Sequence, residues 1–244
     1  MAQVPSVHEC DQAAAHPRDA ARAAGVKGVE LEQLDSPRAI RVCREAATQF
    51  PSVSRFAFQL GRAFHAAKQY PDAYRWYRVA ADQKYGAAQV NLGVLYREGL
   101  GVAKDETQAV RLFQLAVSQG YAQAQNDLGN MYWDGRGGLA KNEAQAAYLY
   151  RLAADQGYAR AQASLGIMYQ EGRGGLAQSE VRAAHLYRLA AEQGEPRGQY
   201  WLGFMYEFGR GGLPRNMKEA IRLYRLAADK GNERAKRALS HLTR

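Results

Sequence analysis

Residues 128–139 read Leu128-Gly129-Asn130-Met131-Tyr132-Trp133-Asp134-Gly135-Arg136-Gly137-Gly138-Leu139, and the pair that opens this stretch is written five times in the chain. Leu-Gly stands at Leu60-Gly61, Leu92-Gly93, Leu128-Gly129, Leu165-Gly166 and Leu202-Gly203. An aromatic follows each Gly by three positions: Phe64, Tyr96, Tyr132, Tyr169 and Tyr206. The steps between copies are 32, 36, 37 and 37 residues. A period of this length means stacked supersecondary units, each covering its neighbour's apolar face, and not a globule built around one central site.

Residues 122–158 show what one unit is. Ala124, Leu128, Met131 and Tyr132 recur at helical spacing and predict a first helix. Gly129 lies inside it, where Gly costs about 1 kcal/mol relative to Ala; its return in every full copy argues for close helix approach. The run from Asp134 to Leu139 is a glycine-rich turn. Asn142, with Gln145 three residues on, opens a second helix whose apolar face holds Ala146, Leu149, Tyr150, Ala153 and Ala154. Gly157 closes it as a left-handed cap. The same caps recur, with Asp105, Asn142, Ser179 and Asn216 as starts and Gly120, Gly157, Gly194 and Gly231 as stops.

Leu-Gly-x-Met-Tyr-x-x-Gly-Arg-Gly-Gly, followed by Ala-x-x-Leu-Tyr-Arg-Leu-Ala-Ala-x-Gln-Gly, resembles the Sel-one-like repeat (SLR), a branch of the tetratricopeptide superfamily. The resemblance covers residues 87–232 as four units, about 87–121, 122–158, 159–195 and 196–232. Residues 52–86 are similar to a plain tetratricopeptide unit, with Lys84 where later copies place Gly. Residues 1–51 fit a further helix pair: a short helix near His8 to Ala15, a long irregular connection from His16 to Asp35, and a second helix opened by Ser36-Pro37. Residues 233–244 imitate a first helix, with Ser240 in place of Gly, and read as a capping helix. The fold expected is all-α, an α-solenoid (a right-handed superhelix) of roughly six antiparallel helix pairs closed by that helix.

The formal charge of +9 is uneven, because residues 210–244 carry ten Lys/Arg against three Asp/Glu. A basic end suits an acidic partner, a membrane surface or nucleic acid, or simply a solvated terminal helix. No run of about 18 apolar residues exists, so no membrane span is expected. Met1 to Cys10 lacks a basic region followed by an apolar one, so no signal peptide is read there; a trimmed mature end with an added Met fits the same residues. Cys10 and Cys43 are the only cysteines. They fall on the two helices of the first pair, in an opening segment that resembles those preceding such repeats in exported bacterial proteins. A Cys10–Cys43 disulfide is expected, closing a loop of roughly 34 residues and contributing about 3–4 kcal/mol in the chain-entropy model. That places the chain in the periplasm or outside the cell; two buried free thiols in a cytoplasmic protein are the alternative.

No catalytic residue set, metal signature or cofactor motif is found, and neither a catalytic residue, a metal nor a cofactor is expected. Asp134, Glu171 and Glu207 stand near the ends of successive first helices, about one repeat apart, which does not bring two carboxylates onto one bond. Some cysteine-rich relatives are assigned weak β-lactam hydrolysis, but this chain has no per-repeat cysteine pair and no Ser-x-x-Lys. In the arrangement implied by the resemblance, the first helix of each pair lines a concave groove. The groove residues here are Phe58, Arg62, Val94, Arg97, Asn126, Asn130, Trp133, Ile167, Gln170, Tyr200, Phe204, Glu207 and Phe208, with Val90, Asp134 and Glu171 among their neighbours. Tyr200, Phe204 and Phe208 share one helix face, either as a binding stripe or packed on the capping helix. The function expected is a non-enzymatic scaffold that binds a protein or peptide in the groove. A hydrolase acting on cell-wall or β-lactam-like substrates is one alternative. An anion or nucleic-acid binder is the other, using a basic ladder (Arg78, Arg151, Arg188, Arg225) and the basic end.

Overall fold

The computed structural model describes residues 7–19 and 21–242. Among them are thirteen α-helices and no strand, divided between two compact units, Met1–Tyr121 and Ala122–Arg244. The first unit holds α1 (Glu9–Ala14), α2 (Ser36–Gln49), α3 (Ser54–Ala66), α4 (Tyr70–Asp82), α5 (Gly86–Glu98) and α6 (Glu106–Ser118), with one 3-10 turn at Leu31–Gln33. The second holds α7 (Ala122–Asp134), α8 (Glu143–Asp155), α9 (Ala159–Glu171), α10 (Glu180–Glu192), α11 (Pro196–Phe208), α12 (Met217–Asp229) and α13 (Glu233–Leu242). Each unit is a stack of helix pairs, so the all-α repeat architecture is the one expected. No helix of the described residues is long and apolar enough to cross a membrane.

The helix boundaries follow from side-chain chemistry. Asp105, Asn142, Ser179 and Asn216 each accept a hydrogen bond from the backbone N–H three residues on, which satisfies one of the donors a helix start leaves unpaired. Gly120, Gly157, Gly194 and Gly231 follow the second helices with φ between +77° and +83°. Lys84 adopts the same left-handed turn at φ +62°, where a side chain costs about 1 kcal/mol or more. Cys10 on α1 and Cys43 on α2 are at disulfide distance, 2.10 Å between sulfurs.

The Leu-Gly glycines sit under aromatic rings. A Cβ at Gly61, Gly93, Gly129, Gly166 and Gly203 would lie 2.5, 2.7, 2.8, 2.6 and 2.9 Å from the rings of Tyr77, Phe113, Tyr150, Tyr187 and Tyr224. Those rings are almost fully buried. Burying one large apolar side chain contributes about 1.5–3 kcal/mol, which outweighs the roughly 1 kcal/mol that a mid-helix Gly costs.

Side-chain amides link the two helices of a pair on a second level. Gln119, Gln156 and Gln193, at the ends of α6, α8 and α10, donate to Gln89, Gln125 and Gln162 at 2.8, 2.8 and 2.9 Å. The next copy has Lys230 instead, which donates to the Gly194 carbonyl at 2.6 Å and leaves the buried Gln199 Oε1 without a partner.

Gly166→Ala is expected to destabilise the chain by about 1–3 kcal/mol through overpacking against Tyr187, although Ala is the better helix former. Urea unfolding followed by circular dichroism measures this. Combining it with Tyr187→Leu should cost less than the sum of the two single changes.

Candidate functional site on the inner helix faces

The first helix of each pair presents its groove-facing side differently in the two units. In the N-terminal unit that side is covered by the chain itself. Arg62 on α3 is 1% exposed, and its guanidinium donates to the carbonyls of Ala14 and Val29, both at 2.7 Å. Val29 N–H donates in turn to the Ala15 carbonyl at 2.8 Å, which closes a loop of the connection between α1 and α2. Asp19 is buried and accepts a short hydrogen bond from the Tyr85 hydroxyl and a second at 3.5 Å from Tyr121. Phe58 is 1% exposed, its ring 5.1 Å from Tyr85 and 5.9 Å from Tyr77, and Val90 is likewise enclosed.

These contacts correct the groove reading at Phe58 and Arg62. They are core residues, because the long connection lies across α3 and reaches Tyr85 before α5. Asn126 is corrected as well: residues 124–129 of α7 are all buried, so no open face exists there. Val94 and Arg97 remain half-buried, with the Arg97 guanidinium 5.7 Å from the Phe113 ring and bonded to Glu98.

The C-terminal unit keeps its inner face open. A concave cavity of about 600 Å³ is bounded by α7, α9, α11 and α13. Asn130, Trp133, Ile167 and Tyr200, all expected from the sequence, meet in it. Tyr200 also packs against the buried cluster of Ala220, Tyr224, Ala227 and Ala235 and lies 5.7 Å from the Tyr224 ring. The aromatic stripe is therefore split. Tyr200 belongs partly to the core, whereas Phe204 and Phe208 pair at 4.7 Å and Phe208 is 56% exposed.

Three of the polar groove residues anchor the rings described above. The Tyr150 hydroxyl donates to Asn130 at 2.7 Å, Tyr187 to Gln170 at 2.7 Å and Tyr224 to Glu207 at 2.6 Å. The glycine-loop arginines are used internally. Arg173 is bonded to Glu143 and Glu171 and lies 4.1 Å over the Trp133 ring, while Arg210 is bonded to Glu180 and lies over Phe204. Arg173, with Lys141, holds the Glu143 carboxyl down at about 2. These loops are therefore not free anion sites. On the outer helices, Arg78 pairs with Asp82, Arg75 with Asp72 and Arg222 with Glu219.

The cavity also holds residues that sequence reasoning missed: Trp201, Arg197, Arg234 and Arg237. Trp201 directly precedes Leu202, next to the expected groove residue Tyr200. A signal for the arginines was present, since Arg160, Arg197 and Arg234 recur 37 residues apart at the second position of their helices.

The Sel1 repeat family model matches residues 57–85, 86–121, 122–158, 159–195 and 196–232. The chain belongs to the Sel1 repeat family. Members of this family are generally protein interaction scaffolds without enzymatic activity. A fifth Sel1 repeat thus stands where the sequence resembled a plain tetratricopeptide unit. The chain is similar in structure to a Sel1 repeat protein from Oxalobacter formigenes, with a TM-score of 0.72 and 29% identity over 84% of each chain. It is also similar to a protective antigen of uropathogenic Escherichia coli that displays an SLR fold, with a TM-score of 0.53 and 28% identity. That match covers 86% of this chain and 53% of the antigen. A Sel1 repeat protein from Klebsiella pneumoniae, 22% identical with a TM-score of 0.54, covers 83% of this chain and 98% of its own and shares the fold. No curated protein matches the chain.

One pH dependence follows from the covered face. Burial, and then Arg62, Arg18 and Arg22, push the His16 imidazole down to about 4. In the unfolded chain the same ring titrates near 6.5. Between those values the unfolded state binds more protons, so stability falls as pH drops from about 6.5 to about 4. The protection factor of the Val29 amide is expected to fall as pH drops across that window, and His16→Gln should flatten the profile.

Proposed function

We propose that this Sel1 repeat chain is a non-enzymatic scaffold that holds a protein or peptide segment along the inner face of its C-terminal unit. The observation that carries this reading is the open cavity there, in which Trp133, Ile167 and Tyr200 are set on rigid helices. Aromatic side chains already held in place lose little conformational entropy on binding and make good hot spots. The ring–glycine packing and the tyrosine hydroxyl bonds fix the helices that carry them, so the surface is preformed. Sel1 repeats themselves favour a protein partner over a small substrate. The groove residues proposed for contact are Asn130, Trp133, Ile167 and Tyr200, with Phe204 and Phe208 extending the surface and Gln170 and Glu207 supporting it.

The cysteine pair at disulfide distance supports an oxidising compartment, the periplasm or the cell exterior. Protein produced under oxidising conditions and denatured without reductant is expected to show no thiol to a maleimide. Two reactive thiols would remove this placement.

A photoreactive amino acid at Ile167 tests the groove directly. It is expected to give discrete adducts with a partner in the producing cell, whereas the same group at Tyr148, exposed on an outer helix, should not. Trp133→Ser should weaken the captured interaction by about 10- to 100-fold without loss of helical signal. Adducts at Tyr148 alone would move the binding surface to the outer helices.

A further inference from the structure

The charges around the cavity suggest the chemistry of its occupant, an inference that rests on the groove reading above. Four arginines and three carboxylates line the cavity. Two of the carboxylates are already engaged, Glu171 by Arg173 and Glu233 by Lys236. Arg173 is engaged by the same contacts. What remains is Arg197, Arg234 and Arg237, all exposed and in no ion pair among the described residues, against Asp134 alone. Arg234 and Arg237 are three residues apart and share a face of α13. Arg197 repeats the Arg234 position one unit earlier, on α11. The three therefore converge on the cavity from two successive inner helices.

Their surroundings strengthen them. The Arg234 guanidinium lies 5.8 Å from the centre of the Trp201 ring, and Trp201 stacks on Tyr187 at 5.9 Å with an interplanar angle of 14°. A guanidinium held over an indole keeps its edge N–H groups free for a carboxylate, which it grips in a two-pronged fashion. A concavity also concentrates the field of the charges set in its low-dielectric walls.

We infer that the inner face of the C-terminal unit takes an acidic peptide, one that carries several carboxylates beside an aromatic or aliphatic side chain. The carboxylates meet Arg197, Arg234 and Arg237, and the apolar side chain enters between Trp133 and Trp201. A nucleic acid fits less well. Its evenly spaced phosphates need a continuous cationic track, whereas this wall also carries Asp134 and Glu171, and arginines such as Arg78 and Arg222 on the outer helices are spent on local pairs.

Selection of short random peptides displayed on phage, using the full chain with its disulfide intact, tests this. The bound pool is expected to be enriched in Asp and Glu next to aromatic or aliphatic residues. A peptide synthesised from that pool should bind at least about tenfold more weakly to the Arg234→Glu/Arg237→Glu variant and weaken as salt is raised. Reselection on that variant should shift the pool toward Lys and Arg. Both substitutions lie on exposed positions, and circular dichroism checks that the fold is kept. A neutral or basic pool that the charge-reversed variant binds equally would overturn the acidic occupant. The groove reading would survive that result as long as Trp133→Ser/Trp201→Ser abolished binding. A pool that this tryptophan variant also selects would overturn the groove reading itself. Arginine-dependent binding of single-stranded DNA, with no peptide pool, would overturn the peptide in favour of a polyanion.

Discussion

Everything in this chain depends on an aromatic ring lying where a side chain would otherwise be. Each Leu-Gly places a bare Cα under the ring of the helix that follows, from Gly61 beneath Tyr77 to Gly203 beneath Tyr224. The contact fixes how closely and at what angle the two helices of a pair meet. It also aims the ring's far end. In three copies the tyrosine hydroxyl emerges on the groove side and is held by Asn130, Gln170 or Glu207. Core packing and groove surface are thus two ends of one side chain. In the copy where Phe113 replaces Tyr, Arg97 lies over the ring instead of a hydroxyl acceptor bonding to it.

The glutamine rungs act differently, because each satisfies a buried amide that the packing would otherwise strand. An unsatisfied buried polar group costs about 1–3 kcal/mol. The break at Gln199 is therefore a real local weakness, and it falls in the copy that carries Trp201 and Arg197. Lys230 cannot replace a glutamine there: an ammonium donates well, but its stem carries it to the Gly194 carbonyl.

The fold was legible in the sequence because repetition averages out local ambiguity. One Leu-Gly means little, whereas five at a nearly constant period, each with its cap and aromatic, fix helix starts, stops and facing sides. The site was legible only where the period was intact. Asn130, Trp133, Ile167 and Tyr200 come from the regular copies and meet in one cavity. Phe58 and Arg62 occupy equivalent positions yet are buried, because what covers them is the irregular stretch between α1 and α2. No periodicity reports where such a stretch will lie. The carbonyls of Ala14, at the end of α1, and of Val29 in that stretch receive the Arg62 guanidinium and carry no sequence signal at all, since every residue has a carbonyl. Arg197, Arg234 and Arg237 were missed for the opposite reason: each looks like an ordinary solvated charge until the helices place them together.

The covered face shows what these inner helices do with an extended chain. Arg62 grips backbone carbonyls, Asp19 is gripped by tyrosine hydroxyls, and the two act from different parts of the stack. A buried guanidinium is tolerable only when its donors are satisfied, so the connection and Arg62 require one another. The tether makes this arrangement favourable, because a segment attached to the surface it covers loses far less freedom than a separate molecule. Cys10 and Cys43, at disulfide distance, bring α1 against α2 at the start of that tether. The open face of the C-terminal unit has no such attached segment among the described residues. Its arginines stay exposed, so they avoid the desolvation cost that Arg62 meets with two carbonyls. Polar groups displayed in a concavity without internal partners are matched best by groups brought from outside.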